Sequence, residues 1–182
     1  ATIGENLEGT EANFAARMTR TARAIGMSKT TFKNASGLPN PAQVTTARDF
    51  ATLSLRVQRD FPEYYPYFRI ASFNYKGQTI RTHNRLLGRF QGTDGIKTGY
   101  IRASGFNLTT SAKRGNKRIV GVVMGGSSGG VRDTAETNDQ FGWKVALSGD
   151  GATLAVSALF EDSDAGGING DQGDGSLDTG AV

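Results

Sequence analysis

TDGIKTGYIRASGFNLTTSAKRGNKRIVGVVMGG, running from Thr93 to Gly126, is the stretch whose reading decides the fold. Its second half has the pattern of a β-hairpin. From Gly105 to Lys113, Phe106, Leu108, Thr110 and Ala112 fall on one face with period two, as in a half-buried strand. Arg114-Gly115-Asn116-Lys117 is polar, contains a Gly-Asn pair and reads as the turn. Ile119 to Met124 is almost unbroken apolar sequence, the composition expected of a strand covered on both faces. Ahead of the hairpin, Gly95-Ile96-Lys97-Thr98-Gly99-Tyr100 predicts a short strand flanked by glycines. Glycine weakens a strand but lets another backbone come close. A Lys and a Thr beside such a lane suit a ligand carboxylate, offering one ammonium and one hydroxyl donor.

Composition bounds the rest. With 182 residues, 37% of them hydrophobic, the chain can bury one core. It has no run of 18 apolar residues that would cross a membrane as a helix. The absence of Cys removes thiol and disulfide chemistry. His83 is the sole histidine, so a zinc site is not expected and His83 reads as structural. Charge divides sharply: residues 148–182 carry seven acids and no Lys or Arg, leaving a net +11 on residues 1–147. A basic surface of that kind is compatible with nucleic acid, anionic lipid headgroups or an anionic polymer such as cell-wall glycan strands, and equally with a plain solvated face. No basic motif is interleaved with aromatics, so nucleic acid is not an expected partner.

Upstream, Thr10 can cap a helix whose Phe14, Met18, Ala22 and Ile25 share a face, with Gly26 as its left-handed end. Ala1–Gly9 has no capping signal of its own, as though cut into a helix already under way. Residues 28–43 read as loop, dense in turn formers from Asn34 to Pro41. Thr46 with Asp49 forms a capping-box pattern before a helix buried through Phe50, Leu53 and Val57 and stopped by Pro62. Tyr64, Tyr65, Tyr67 and Phe68 are expected to cover the core beneath a connection. Ser72–Tyr75 and Gln78–Arg81 should pair around Lys76-Gly77.

Downstream, Gly125–Gly130 reads as a flexible connection. It matches Gly-x-Ser-x-Gly at Ser127 and Ser128, but His83 precedes both serines, the wrong chain order for a nucleophile elbow. It also lacks the Gly-Lys-Ser/Thr of a phosphate loop. From Arg132 a helix is expected, pairing Phe141 with Val145 and Trp143 with Leu147. Residues 148–182 read as a Gly/Asp-rich acidic linker or disordered tail with one apolar patch, Leu154 to Phe160. Asp171, Asp174 and Asp178 lack the spacing of a calcium loop, and no metal or cofactor is expected.

Lys97-Thr98-Gly99 resembles the Lys-Thr-Gly motif of penicillin-binding proteins and serine β-lactamases. Asp94–Gly99, Ser104–Leu108 and Val123–Gly126 look like successive strands of the low-molecular-mass D-alanyl-D-alanine carboxypeptidases. Gly26–Phe32, Ser36-Gly37-Leu38 and Ala47-Arg48-Asp49 resemble that family in the right order, so the likeness spans residues 1–147. It implies an α/β fold of the penicillin-binding/β-lactamase type, an antiparallel sheet with helices on its faces. It also implies acyl transfer through a serine ester, on peptidoglycan stem peptides or β-lactams, in the periplasm or outer cell envelope. By resemblance Lys97 and Thr98 bind the terminal carboxylate, Gly99 belongs to the same strand, and the Tyr100 N–H forms half of an oxyanion hole. Ser36 borders the site mouth, and Arg132 lies near the substrate carboxylate.

The family's nucleophile is missing. No serine here has Lys three residues on, and Ser72-Phe73-Asn74, though it spells Ser-x-Asn, lies after the Ser-Gly-Leu segment instead of before it. The expectation is therefore a fold incomplete at its N-terminal side. Residues 1–147 would be the C-terminal portion of a catalytic domain, supplying the binding strand but no catalytic residue. A partner would be the missing N-terminal part of the same domain. Two alternatives stand beside it: a non-catalytic peptidoglycan- or penicillin-binding module, and a β-lactamase or esterase of the same superfamily. Asn34–Gln43 lacks the deacylating carboxylate of a class A β-lactamase.

Overall fold

The computed structural model describes residues 1–126, together with the backbone of 145–147 and 154–156. Helices α1 (Thr2–Glu8), α2 (Glu11–Ala24) and α3 (Ala47–Asp60) come first, then a 3-10 helix at Tyr65–Arg69. Strands β1 (Ser72–Tyr75) and β2 (Gln78–Arg81) form a hairpin, and β3 (Thr93–Ile101), β4 (Gly105–Arg114) and β5 (Lys117–Gly126) form an antiparallel sheet in the order β3-β4-β5. Short strands β6 (Val145–Leu147) and β7 (Leu154–Val156) pair antiparallel with each other.

Local chemistry explains most of these boundaries. Thr10 and Thr46 cap α2 and α3, each accepting from the N–H three residues on, Asn13 at 3.1 Å and Asp49 at 3.2 Å. The expected reciprocal arm of the capping box is absent. Asp49 is 2% exposed, and its Oδ2 instead accepts from the Lys29 N–H at 2.9 Å and the Thr30 hydroxyl at 2.5 Å. A short Asp that is drawn toward the preceding loop pins that loop to the start of α3. Gly26, at φ +99°, holds the left-handed position after α2. Between β1 and β2, Lys76 and Gly77 both take positive φ, the requirement of a tight hairpin turn of the primed kind.

The core lies between α3 and the sheet, where Ala47 and Ala51 meet Val120 and Val122, with Phe50, Leu55 and Met124 around them. Small residues on α3, rather than the expected Phe50–Leu53–Val57 stripe, are its most buried positions, which lets the helix approach the sheet closely. Cross-strand register places Gly95, Ser111 and Val120 in one row. The 3-10 helix packs on that row from the α3 face: a Cβ on Gly95 would stand 3.0 Å from Phe68 Cβ.

Burial departs from the sequence pattern in three places. On β4 the polar Thr109 and Ser111 are as buried as Leu108, because α3 and the 3-10 helix cover their face. On β5, Ile119 is 48% exposed instead of covered, since it stands at the turn end of the hairpin. Of the aromatic cluster, Tyr65 is buried while Tyr64 and Tyr67 face solvent. A fourth correction concerns Val145 and Leu147, which lie in strand β6 and not in the expected helix. Three apolar residues fit either periodicity, and pairing with Leu154–Val156 decides. Ser127, Ser128, Arg132, the helix expected from Arg132 to residue 144 and the tail from Asp162 lie outside the described residues.

Candidate binding site on the edge strand

A β-bulge shapes the site strand, and a second irregularity shapes the neighbouring strand pair. Between Thr93 and Gly95 the β3–β4 register skips, leaving Asp94 as the extra residue. A bulge re-aims the side chain it carries, and Asp94 is 8% exposed. Arg118 on β5 reaches it through Nη1, 2.8 Å from Oδ1 and 2.7 Å from Oδ2. The same nitrogen donates to Ser111 Oγ at 2.5 Å, and the guanidinium lies 5.1 Å from the centroid of the Tyr65 ring. This cluster ties the root of β3 to β4, β5 and the 3-10 helix. Burial raises the Tyr65 hydroxyl above its ordinary pKa of 10.0; a Ser111 hydrogen bond and the Arg118 charge oppose the shift, and the Asp94 charge adds to it.

The second irregularity falls between Phe106 and Leu108 in the β4–β5 register. Asn107 sits there and uses both ends of its amide. Its Nδ2 donates to Ser104 Oγ at 3.0 Å and the Gly105 carbonyl at 3.1 Å, and its Oδ1 accepts from the Gly125 N–H at 3.2 Å. The β3–β4 turn is thereby fixed to the end of β5.

Above these anchors lies an open pocket of about 390 Å³, lined by Lys97, Thr98, Gly99 and Tyr100 of β3, Phe106, Asn107 and Leu108 of β4, and His83. Tyr100 and Phe106 are cross-strand partners with ring centroids 4.4 Å apart. Lys97 is exposed, and its Nζ donates to the Thr98 carbonyl. No described strand pairs with the outer edge of β3. The arrangement offers a cation, hydroxyls and an open backbone edge above an apolar floor, which suits an extended ligand ending in a carboxylate.

Four sequence-expected residues, Lys97, Thr98, Gly99 and Tyr100, therefore share one pocket. Ser36 does not line it: the residue is exposed on its loop, with its hydroxyl 3.3 Å from Asn34 Oδ1. His83, read from sequence as structural, is exposed and is among the residues lining the pocket. No motif marks it; its one signal is that buried Asn84, next in the chain, bonds to β3 through the Gly95 carbonyl at 3.1 Å.

Comparison with known proteins places this geometry. A family model described as D-alanyl-D-alanine carboxypeptidase matches residues 1–128, and an FG-GAP repeat model matches residues 133–181. D-alanyl-D-alanine carboxypeptidase DacC of Escherichia coli is 33% identical over 131 residues, 71% of this chain and 33% of that protein. DacF of Bacillus subtilis is 31% identical over 140 residues, 74% of this chain and 36% of the relative. The chain thus spans about one third of the length of these curated relatives. Among solved structures, the carboxypeptidase DacD of Francisella tularensis superposes with a TM-score of 0.67 at 28% identity, covering 73% of this chain and 45% of that one. A penicillin-binding protein of Listeria monocytogenes in its ampicillin-bound form gives 0.64 at 34% identity, over 72% of this chain and 55% of that one. The architecture is that of the penicillin-binding folds, a mixed helix and antiparallel-sheet arrangement.

Proposed function

Because this chain belongs to the D-alanyl-D-alanine carboxypeptidase family, we propose that it supplies the substrate-binding wall of a serine-type carboxypeptidase that trims peptidoglycan stem peptides outside the cytoplasmic membrane. The observation that carries this is the convergence of Lys97, Thr98, Gly99 and Tyr100 on one pocket at an open strand edge. Lys97 and Thr98 would hold the terminal carboxylate of D-alanyl-D-alanine or of a β-lactam. The ammonium would exchange its bond to the Thr98 carbonyl for the ligand charge. The Tyr100 N–H would meet the oxyanion of the tetrahedral intermediate, a donor worth about 3 kcal/mol in the transition state. Gly99 keeps the strand bare where an extended peptide pairs with it. Arg132 and Ser36 are proposed as outer contacts, on family resemblance alone.

The acylated serine and its lysine base would come from a segment outside these 182 residues, since no serine here has Lys three positions on. Two units are proposed within the chain. The catalytic-domain portion ends near residue 128, short of the composition break at 147, and the acidic remainder follows the span matched by the FG-GAP repeat.

Covalent labelling by a fluorescent penicillin tests the proposal, on this chain and on the protein extended upstream of Ala1. The expected result is labelling of the extended protein only, slowed about 100-fold by Lys97→Ala. An extended protein that stays unlabelled while still retaining peptidoglycan fragments would mark a non-catalytic binding module. Rapid release of the bound drug would mark a β-lactamase.

A further inference from the structure

We infer that the β1–β2 hairpin extends the Lys97–Tyr100 pocket, its Phe73, Tyr75 and Ile80 receiving the stem peptide beyond its D-alanyl-D-alanine terminus and the sugar that carries it; this rests on the function proposed above. Exposure is the first argument. Every residue of β1 and β2 is exposed, and a two-stranded hairpin that buries nothing is marginal in water. Register sorts its side chains. Phe73 stands opposite Ile80 and Tyr75 opposite Gln78, so Phe73, Tyr75 and Ile80 share one face, at 55%, 57% and 41% exposed. On the other face polar groups satisfy one another, Thr79 Oγ1 donating to Asn74 Oδ1 at 2.8 Å. The apolar face is the one that calls for a partner.

The second argument is position. The Thr82 N–H donates to the Ala71 carbonyl at 2.7 Å, closing the base of the hairpin. Two residues on, buried Asn84 donates from Nδ2 to the Gly95 carbonyl of β3 at 3.1 Å. That carbonyl lies two residues before Lys97 and also accepts from Thr110 Oγ1 at 3.0 Å. His83, between the two anchors, is among the residues lining the pocket. The hairpin is thus rooted at the pocket and tied to the site strand. A ligand held at Lys97 by its terminal carboxylate has the hairpin beside it, already in place.

Charge supplies the third argument and selects the occupant. Residues 64–93 contain no Asp or Glu. Arg69 and Arg81 are exposed near the hairpin base, and Lys76 is exposed at its tip, its Nζ 5.4 Å from the Tyr75 ring centroid. Aromatic rings interleaved with cations suit a partner that joins apolar faces to carboxylates. A sugar ring offers C–H faces, and a stem peptide carries methyl groups and carboxylates on one chain. A bilayer fits less well, because the leading turn, Lys76-Gly77, is charged and polar where insertion needs apolar residues.

The experiment measures D-alanine release by the protein extended upstream of Ala1, from a short acylated D-alanyl-D-alanine peptide and from a disaccharide-linked pentapeptide. Phe73→Ser combined with Tyr75→Ser should raise KM for the disaccharide-linked substrate about tenfold relative to KM for the short one. Ile80→Thr should shift the same ratio by less, and Phe73→Leu combined with Tyr75→Phe should keep most of the parent's selectivity. Fluorescent penicillin labelling of each variant reports that the pocket is folded. If both KM values rise equally, or neither rises, the inference fails and the proposed function survives. A double variant that keeps its selectivity but no longer sediments with phosphatidylglycerol vesicles also overturns it, marking a membrane surface instead. A parent that releases D-alanine from neither substrate and takes up no penicillin ends both readings together.

Discussion

Asp94 and Arg118 carry more of this molecule than their motif suggests. Their side chains are 11% and 16% exposed, and the Arg118 guanidinium serves Asp94, Ser111 and Tyr65 together. Removing one member of a nearly buried pair leaves the other charge uncompensated. Asp94→Asn should therefore lower the unfolding free energy by about 3 kcal/mol in a urea titration, and Arg118→Met in the same background should recover part of the loss. An Asp94→Asn protein as stable as the parent would remove the cluster from the account. Tyr65 gives the cluster a pH signature. Its hydroxyl ionises later in the folded state than in the unfolded state, so its contribution is intact below pH 10.0 and is lost as pH rises from there through the folded value. As pH rises above 10.0 the parent should lose stability more steeply than Tyr65→Phe; parallel curves would refute the shift. From sequence, Lys97-Thr98-Gly99 is legible because its three residues are contiguous. The Asp94–Arg118 pair is not, because 24 positions separate its members and only a bulge turns Asp94 inward.

Elements were legible where periodicity and turn chemistry agree. The β4–β5 hairpin declares itself through period-two spacing and Gly115-Asn116, and α2 and α3 through their threonine caps. What those local signals omit is which element packs on which. Thr109 and Ser111 look like the outward row of a half-buried strand, yet α3 and the 3-10 helix enclose them. Three-residue β6 carries too little pattern to separate strand from helix. Gly95 is the contact point between the 3-10 helix and the site strand, with Phe68 Cβ 3.0 Å and Tyr65 OH 3.5 Å from where a Cβ would lie. Gly95→Ala should cost about 2 kcal/mol by pushing that helix outward. Combined with Phe68→Ala it should cost less than the two changes summed, a coupling that a double-mutant cycle measures.

For the whole molecule, the order of motifs along residues 1–147 was enough to place the chain in its family, and the family model matches residues 1–128 of that span. The match of residues 133–181 to an FG-GAP repeat was not legible as such, because glycine- and aspartate-rich sequence with one short apolar patch reads equally as linker. That His83 lines the pocket was not legible for a different reason: a lone histidine has no spacing to interpret, and Asn84, next in the chain, reaches across to Gly95. The open outer edge of β3 has one more consequence. An edge with which no described strand pairs, and which welcomes an extended ligand, welcomes the same strand of another molecule on equal terms. Lys97 is then also a guard against self-association, since a second copy would bring a like charge to the seam. Variants that neutralise it deserve a check of particle size before any lost affinity is credited to the pocket.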